Sequence, residues 1–283
     1  MFCVKERIFY GDQLKKIMKK FIKKHWIDAL VLLAVAAFIA FGCYKIGIKF
    51  NFVKKWNIFV DYFITNKGYK KLIEGLKNTG LIAVSGLIIG IFIGTIIAVI
   101  RVTPSYKKIT RYAQNVCTVY VAFFRGTPLV VQLLVGYFIL LPLIGLQLPQ
   151  VTSCCIIFGL NSGAYISEIM RGGINSVDKG QLEAARAMGL GYWTSMLKVV
   201  IPQAIKNILP TLGNEFIALV KETAVVGYVG AVDITKSFQD LGSSSYEYMI
   251  PYLMMALLYI VIVALIAALV KMMERRLSKS ERK

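Results

Sequence analysis

Six apolar stretches alternate with polar segments along the chain, at roughly Trp26–Tyr44, Thr79–Ile100, Tyr112–Leu141, Gln150–Met170, Pro202–Val220 and Tyr248–Val270. A helix crosses a bilayer in about 20 mostly apolar residues, with its backbone polar groups satisfied internally. The pattern therefore predicts an all-α integral membrane protein of about six transmembrane helices. The first and fifth stretches sit near the short limit. The third is long and is interrupted at Arg125-Gly126-Thr127-Pro128. Proline has no N–H and glycine is a weak helix former, so a kink or re-entrant corner is expected there. In the second stretch Gly86, Gly90 and Gly94 recur at helical spacing. That ladder predicts close approach of another helix, within the subunit or at a dimer seam.

Composition sharpens the class. Of 283 residues 57% are hydrophobic and 17% charged, against ~25% charged in soluble domains. This argues against a soluble enzyme, a disordered chain or a small disulfide scaffold. The formal net charge of +19 reads as a lipid-bilayer partner, not nucleic acid, because the chain is so apolar. With the N-terminus inside, segments 1–25, 101–111, 171–198 and 271–283 hold 8, 4, 4 and 6 Lys and Arg; the opposite segments 45–78, 142–149 and 225–247 hold 8, 0 and 1. The excess predicts a multi-pass cell-membrane protein with both termini cytoplasmic. Residues 45–78 dissent, and part of that segment reads as an amphipathic stretch on the outer face.

The first stretch follows a basic leader and ends near Ala40-Phe41-Gly42-Cys43. A 25-residue leader favours a retained anchor over a cleaved signal peptide, and the remaining topology is the same either way. The cysteines Cys3, Cys43, Cys117, Cys154 and Cys155 are odd in number and lack C-x-x-C spacing, and His25 has no ligand partner in sequence. No disulfide framework and no metal site is expected.

Between the fourth and fifth stretches the segment 176–203 carries legible helix signals. Asp178 can cap a helix, with Gln181 three residues on as the reciprocal partner of a capping box. Gly189 and Gly191 are expected to end it after about three turns, since glycine accepts the left-handed C-terminal conformation. A second short helix is expected from Tyr192 to Val200, closed by Pro202. Such a slim, capped helix on the cytoplasmic side can dock on a partner and move as a unit, or be a surface helix with no partner.

The residues Glu183-Ala184-Ala185, then three, Gly189, nine more, and Val199-Val200-Ile201-Pro202 resemble the EAA loop of ABC-importer permeases, EAA-x3-G-x9-I-x-L-P. Phe124-Arg125-Gly126-Thr127-Pro128-Leu129-Val130-Val131-Gln132 is similar to FRGTPLLVQ of the polar amino-acid branch. Residues 162–189 and 213–233 are similar to the same branch, with Ala224 in place of its usual serine. The resemblance covers roughly 72–273. It implies a five-helix type I importer core at 72–273 with the loop at 176–202. Residues 1–71 then form a leader, extra anchor helix and outer loop, and 274–283 a basic tail.

The resemblance further implies a non-enzymatic permease subunit of an ATP-driven amino-acid importer. Its ATPase-coupling residues would be Glu183, Ala184, Ala185, Gly189 and Pro202. The implied partners are ABC ATPase subunits, a second permease subunit (a copy or a relative), an extracytoplasmic solute-binding protein and a polar amino acid. No cofactor is assigned to this chain. ATP and Mg belong to the partner ATPase, since no G-x-x-x-x-G-K-[ST] occurs here. The alternative is an ion-gradient-driven secondary transporter, which more often shows inverted repeats with paired broken helices.

Ionisable groups at membrane depth need a partner or a watery path. Asn161, Tyr165 and Glu168 share one helix face, with Arg171 three residues beyond Glu168. They line a translocation path or form a structural ion pair. Glu215 and Glu222 lie on one stripe, Asn214 and Lys221 on the next. The two carboxylates attract a substrate ammonium or pair with Lys221 or Arg125. Thr127 and Gln132 near the break complete the candidate path.

Overall fold

The computed structural model describes residues 51–104 and 106–279, the side chains of 276–279 excepted. The Trp26–Tyr44 stretch, its leader, His25 and the last four residues lie outside the described residues. Lys54–Lys283 gather into one compact unit, separate from Met1–Val53, and the description concerns that unit. Among the described residues it is built of helices joined by short turns, with no strand. α1 (Phe52–Val60) runs into a wide turn, Asp61–Thr65. Next come α2 (Gly68–Val102), α3 (Lys108–Gly126), α4 (Leu129–Leu143), α5 (Gln150–Asn175) and α6 (Lys179–Ala187). Then α7 (Tyr192–Ser195) continues through a wide turn into α8 (Ile201–Glu222), followed by α9 (Ile234–Ser245) and α10 (Met249–Lys279).

α2, α5 and α10 are long and apolar enough to cross a membrane, and the bent pair α3–α4 is so when taken together, as a broken span or a re-entrant loop. α8 is helical but falls short of that standard, carrying Lys206, Glu215, Lys221 and Glu222. α2 starts eleven residues before the apolar stretch expected at Thr79. It is ~52 Å long, against ~30 Å of bilayer hydrocarbon, so one end stands clear. α10 exposes Leu253, Leu257, Ile260, Val261, Leu265 and Leu269, an apolar surface fit for lipid.

Two prolines stop helices in the same way. The residue before proline is pushed to extended backbone by the ring. Thr103 (φ −62, ψ 132) ends α2 before Pro104, and Thr127 (φ −122, ψ 146) ends α3 before Pro128. α3 and α4 meet there at 106°, the corner the sequence led us to expect. Pro202 behaves differently. The helix does not close at Val200 but runs from Tyr192 through to Glu222. Ile201 N–H bonds back to Met196, five residues earlier, and Pro202 follows this widened turn. Such a turn absorbs a residue that has no N–H to offer.

The glycine ladder of α2 packs within the subunit, against α5. A Cβ on Gly90 would lie 2.8 Å from Ser162 Cβ, and one on Gly94 2.9 Å from the Ser167 nitrogen. α5 answers with Gly159 against Ile89 and Gly163 against Ile93. Each helix thus presents glycines to the other's side chains, which is how small residues bring helices close. Beside this contact lies a core of Ile82, Leu133, Phe158, Leu219 and Val226. A second core joins Phe59 of α1 to Phe238 and Leu241 of α9 and Ile250 of α10.

α1 is also pinned by charge. Lys55 Nζ lies 2.8 Å from both carboxylate oxygens of Glu247. The Lys55 ammonium holds the Glu247 carboxyl below the usual carboxylate range. A depressed carboxylate stabilises the fold above its unfolded pKa, and the contribution is lost as pH falls through the folded value. Glu247→Gln is expected to lower Tm by about 1–3 °C at pH 7, the range for a half-exposed surface pair in a chain of this size. The gap between variant and wild type begins to narrow at the ordinary carboxylate range and closes as the pH falls through the lower, folded-state value of Glu247. Calorimetry on the detergent-solubilised pair checks this; a gap independent of pH would show that the charge contributes nothing.

Candidate functional site: a coupling helix and a polar seam

α6 has defined stops at both ends. Asp178 caps it, accepting from the Gly180 nitrogen at 2.6 Å. The capping box is not closed: Gln181 turns away to meet Gln203 at 3.3 Å. At the other end Leu190 N–H bonds to Ala185 O, Gly189 N–H bonds to Arg186 O, and Gly189 has φ +85. This is a Schellman motif, with glycine at the left-handed position. Gly191 is not a second stop. Its φ of −63 and ψ of 157 make it the extended residue that starts α7.

Of the residues expected to meet an ATPase, Ala185 is buried. Glu183, Ala184 and Gly189 are exposed, and Pro202 sits inside the continuous helix. The small side chains of Ala184 and Ala185 keep α6 slim on both faces. Met188 and Trp193 project beside it, 82% and 52% exposed. α6 therefore offers a partner a rigid edge with apolar flanks.

The polar candidates fall into three groups. Gln132, Thr127 and Asn161 come together at the α3–α4 corner. Pro128 has no N–H for the carbonyl of Phe124, four residues back. The Gln132 amide donates to that carbonyl at 2.8 Å and lies 3.0 Å from Thr127 O and 2.9 Å from its hydroxyl. Asn161 Nδ2 donates to Gln132 Oε1 at 2.8 Å and so fixes the amide. Asn161 and Gln132 are buried. The three residues act as a cap built across three helices, satisfying groups that the proline strands.

Glu168 forms the second group. Arg101 of α2 donates to Oε1 through Nη1, while Arg171 meets Oε2 through Nε at 3.0 Å and Nη2 at 2.6 Å. One carboxylate thus lies between two guanidinium groups. Tyr165, one turn earlier, stands under the Arg125 guanidinium at 5.6 Å from ring centre, a cation–π distance.

The third group lies on α8. Glu215 accepts from Ser162 Oγ at 3.2 Å and is half-buried. Glu222, Asn214 and Lys221 are exposed on the chain's surface. Among the described residues no ion pair joins Glu215 or Glu222 to Lys221 or Arg125. Polar groups on a long helix of a membrane protein belong against protein or water, so this face awaits either.

Sequence reasoning passed over Arg101 and Ser162. Arg101 ends the second apolar stretch and reads there as a positive charge of the loop. Its partner lies 67 residues away. Ser162 carries no signal of its own in an apolar run.

Residues 86–279 match the family described as binding-protein-dependent transport system inner membrane component. The chain belongs to that family. Among relatives of this permease, the arginine transport system permease protein ArtQ of Bacillus subtilis is 37% identical over 222 residues, covering 78% of this chain and 99% of ArtQ. A putative glutamine transport system permease protein GlnP of Rickettsia bellii is 38% identical over 206 residues, covering 73% and 92%. A crystal structure of an amino acid ABC transporter with histidines superposes with TM-score 0.69 at 38% identity, covering 77% of this permease and 99% of that chain. The MetNI methionine ABC transporter in an inward-facing conformation shares the fold, with TM-score 0.61 at 22% identity. The permease is thus a membrane-embedded transport subunit of the ABC importer kind, not an ion-gradient-driven transporter.

Proposed function

We propose that this permease carries a polar amino acid across the cell membrane as one of two membrane subunits that enclose the path, its termini and α6 on the cytoplasmic side. Separate ATPase subunits hold ATP and Mg and receive α6. A solute-binding protein outside the cell delivers the cargo. Closure of the ATPase pair on ATP pushes α6 and turns the path outward; hydrolysis and release return it inward. The observation that carries this reading is α6 itself, a helix with a fixed stop at each end and exposed Glu183 and Ala184, on a chain whose relatives are amino-acid ABC permeases.

For the cargo, Glu215 and Glu222 are two carboxylates of α8 that make no ion pair among the described residues, and each can meet an α-ammonium. Thr127, Gln132 and Asn161 hold the corner that shapes the path, and Tyr165 and Glu168 line its cytoplasmic end. Glu215→Gln is expected to raise the half-saturation for uptake roughly tenfold or more, the effect of losing a hydrogen bond to a charged group. Uptake kinetics unchanged in both Glu215→Gln and Glu222→Gln remove these residues from the path.

The whole reading is tested in proteoliposomes holding the permease with its ATPase subunits, supplied with binding protein and labelled arginine, glutamine or histidine. Uptake is expected to require ATP and to survive an ionophore that collapses ion gradients. Uptake driven by a gradient without ATP would refute it.

A further inference from the structure

The connection between α6 and the spans is narrow. α6 rests on the helices beneath through Leu182, and its Ala185 is buried. Clefts open on either side of it, one of about 540 Å³ reaching Val102 and Val200, the other of about 680 Å³ reaching Pro104 and Trp193. Tyr192 lines both. Its hydroxyl donates to the carbonyl of Val102, the last residue of α2, at 3.3 Å. Among the described residues this is the hydrogen bond that links segment 178–200 to α2.

The same turn of α2 meets two further helices. Gln114 of α3 donates to Ile100 O at 3.2 Å and Thr103 O at 2.7 Å. Arg101, next to Val102, holds Glu168 of α5. The helix ends here because of Pro104, which leaves its final carbonyls free for outside donors. Arg101 and Glu168 are each 18% exposed. A partly buried ion pair of this kind contributes little net stability; its best-attested use is to hold one arrangement against others. Arginine's planar fork suits that use, since it fixes direction as well as distance.

We propose that the last turn of α2 is the joint between the coupling helix and the spans, with Tyr192 and Arg101 as positioning residues. Tyr192 makes α2 follow α6, and Arg101 makes α5 follow α2 through Glu168. The inference rests on the reading of α6 as the ATPase contact.

The test compares Arg101→Gln, Arg101→Lys and Tyr192→Phe with wild type in the assembled complex, reading ATPase recovery on co-purification, ATP hydrolysis, and uptake per ATP hydrolysed. Arg101→Gln is expected to keep ATPase recovery and hydrolysis within about twofold while uptake per ATP falls about tenfold, the factor a coupling free energy of ~1.4 kcal/mol supplies. Arg101→Lys restores part of the ratio, because a cation on α2 still reaches Glu168, whereas in Arg101→Gln only Arg171 of α5 itself does. Tyr192→Phe lowers the ratio in the same sense and removes a single hydroxyl, so it serves if Arg101→Gln does not assemble. An unchanged ratio, or uptake and hydrolysis falling in proportion, overturns the joint. Absence of ATP-dependent uptake in the wild-type complex refutes instead the importer reading beneath it.

Discussion

Gly189→Asp abolishes ATP-driven uptake while the spans stay inserted. The backbone at Gly189 has φ +85, and a Cβ added there meets nothing within 4 Å. Aspartate is among the few L-residues that enter the left-handed region with modest strain. The fold can therefore accept it, and the damage falls on whatever approaches from outside. The new carboxylate stands at the C-terminal end of α6, where the helix dipole is already negative. If a partner covers this end, an unpaired charge is buried in the interface. Such charges cost about 2–5 kcal/mol, so docking weakens roughly thirtyfold or more. The measurements are uptake, ATPase recovery on co-purification, and the amount of permease in the membrane. Equal ATPase recovery with normal uptake would remove α6 from the coupling role.

Gly94→Val prevents the permease from folding. Here the neighbours are backbone: a Cβ would lie 2.9 Å from the Ser167 nitrogen and 3.0 Å from the Gly163 carbonyl oxygen. Backbone cannot swing aside as a side chain can, so α2 and α5 must separate. Separation also opens the facing contacts of Gly159 with Ile89 and Gly163 with Ile93. Overpacking a single site costs about 1–3 kcal/mol, and forcing two helices apart exceeds that. Little folded protein is expected in membranes, with early aggregation in detergent. Gly80→Ala is the control. Nothing stands within 4 Å of a Cβ there, and alanine is the better helix former by about 1 kcal/mol. Wild-type yield and Tm for Gly94→Val would show that the ladder tolerates bulk and that helix proximity is set elsewhere.

What could be read from the sequence was local. The α3–α4 corner follows from one proline and its predecessor. The two ends of α6 follow from Asp178 and Gly189, whose preferences act within a few residues. The apolar cores of α2, α5 and α10 follow from hydropathy, because lipid imposes it residue by residue. The start of α2 did not show, since Lys70, Lys71 and Lys77 face outward and a helix standing clear of the bilayer has no hydropathy signature. The continuity of α7 into α8 was hidden because Pro202 reads as a stop; only a widened turn, which has no simple sequence code, lets the helix pass.

The polar residues were legible as residues and not as partners. A helical wheel puts Asn161 and Glu168 on one face, but it cannot tell that one is held by Gln132 and the other by Arg101. Those contacts span 29 and 67 residues of chain. They depend on how closely α2, α4 and α5 approach, and so on the glycines.

α2 is unbroken from Gly68 to Val102 and is gripped near Gly90 by α5. If that grip is the fulcrum, the arms measure ~33 Å on the Gly68 side and ~18 Å on the Val102 side. A tilt that shifts one tip then swings the other in the opposite sense by nearly twice as much. On the transport reading proposed above, such a tilt would gear the two mouths of the path together, widening one as it narrows its counterpart.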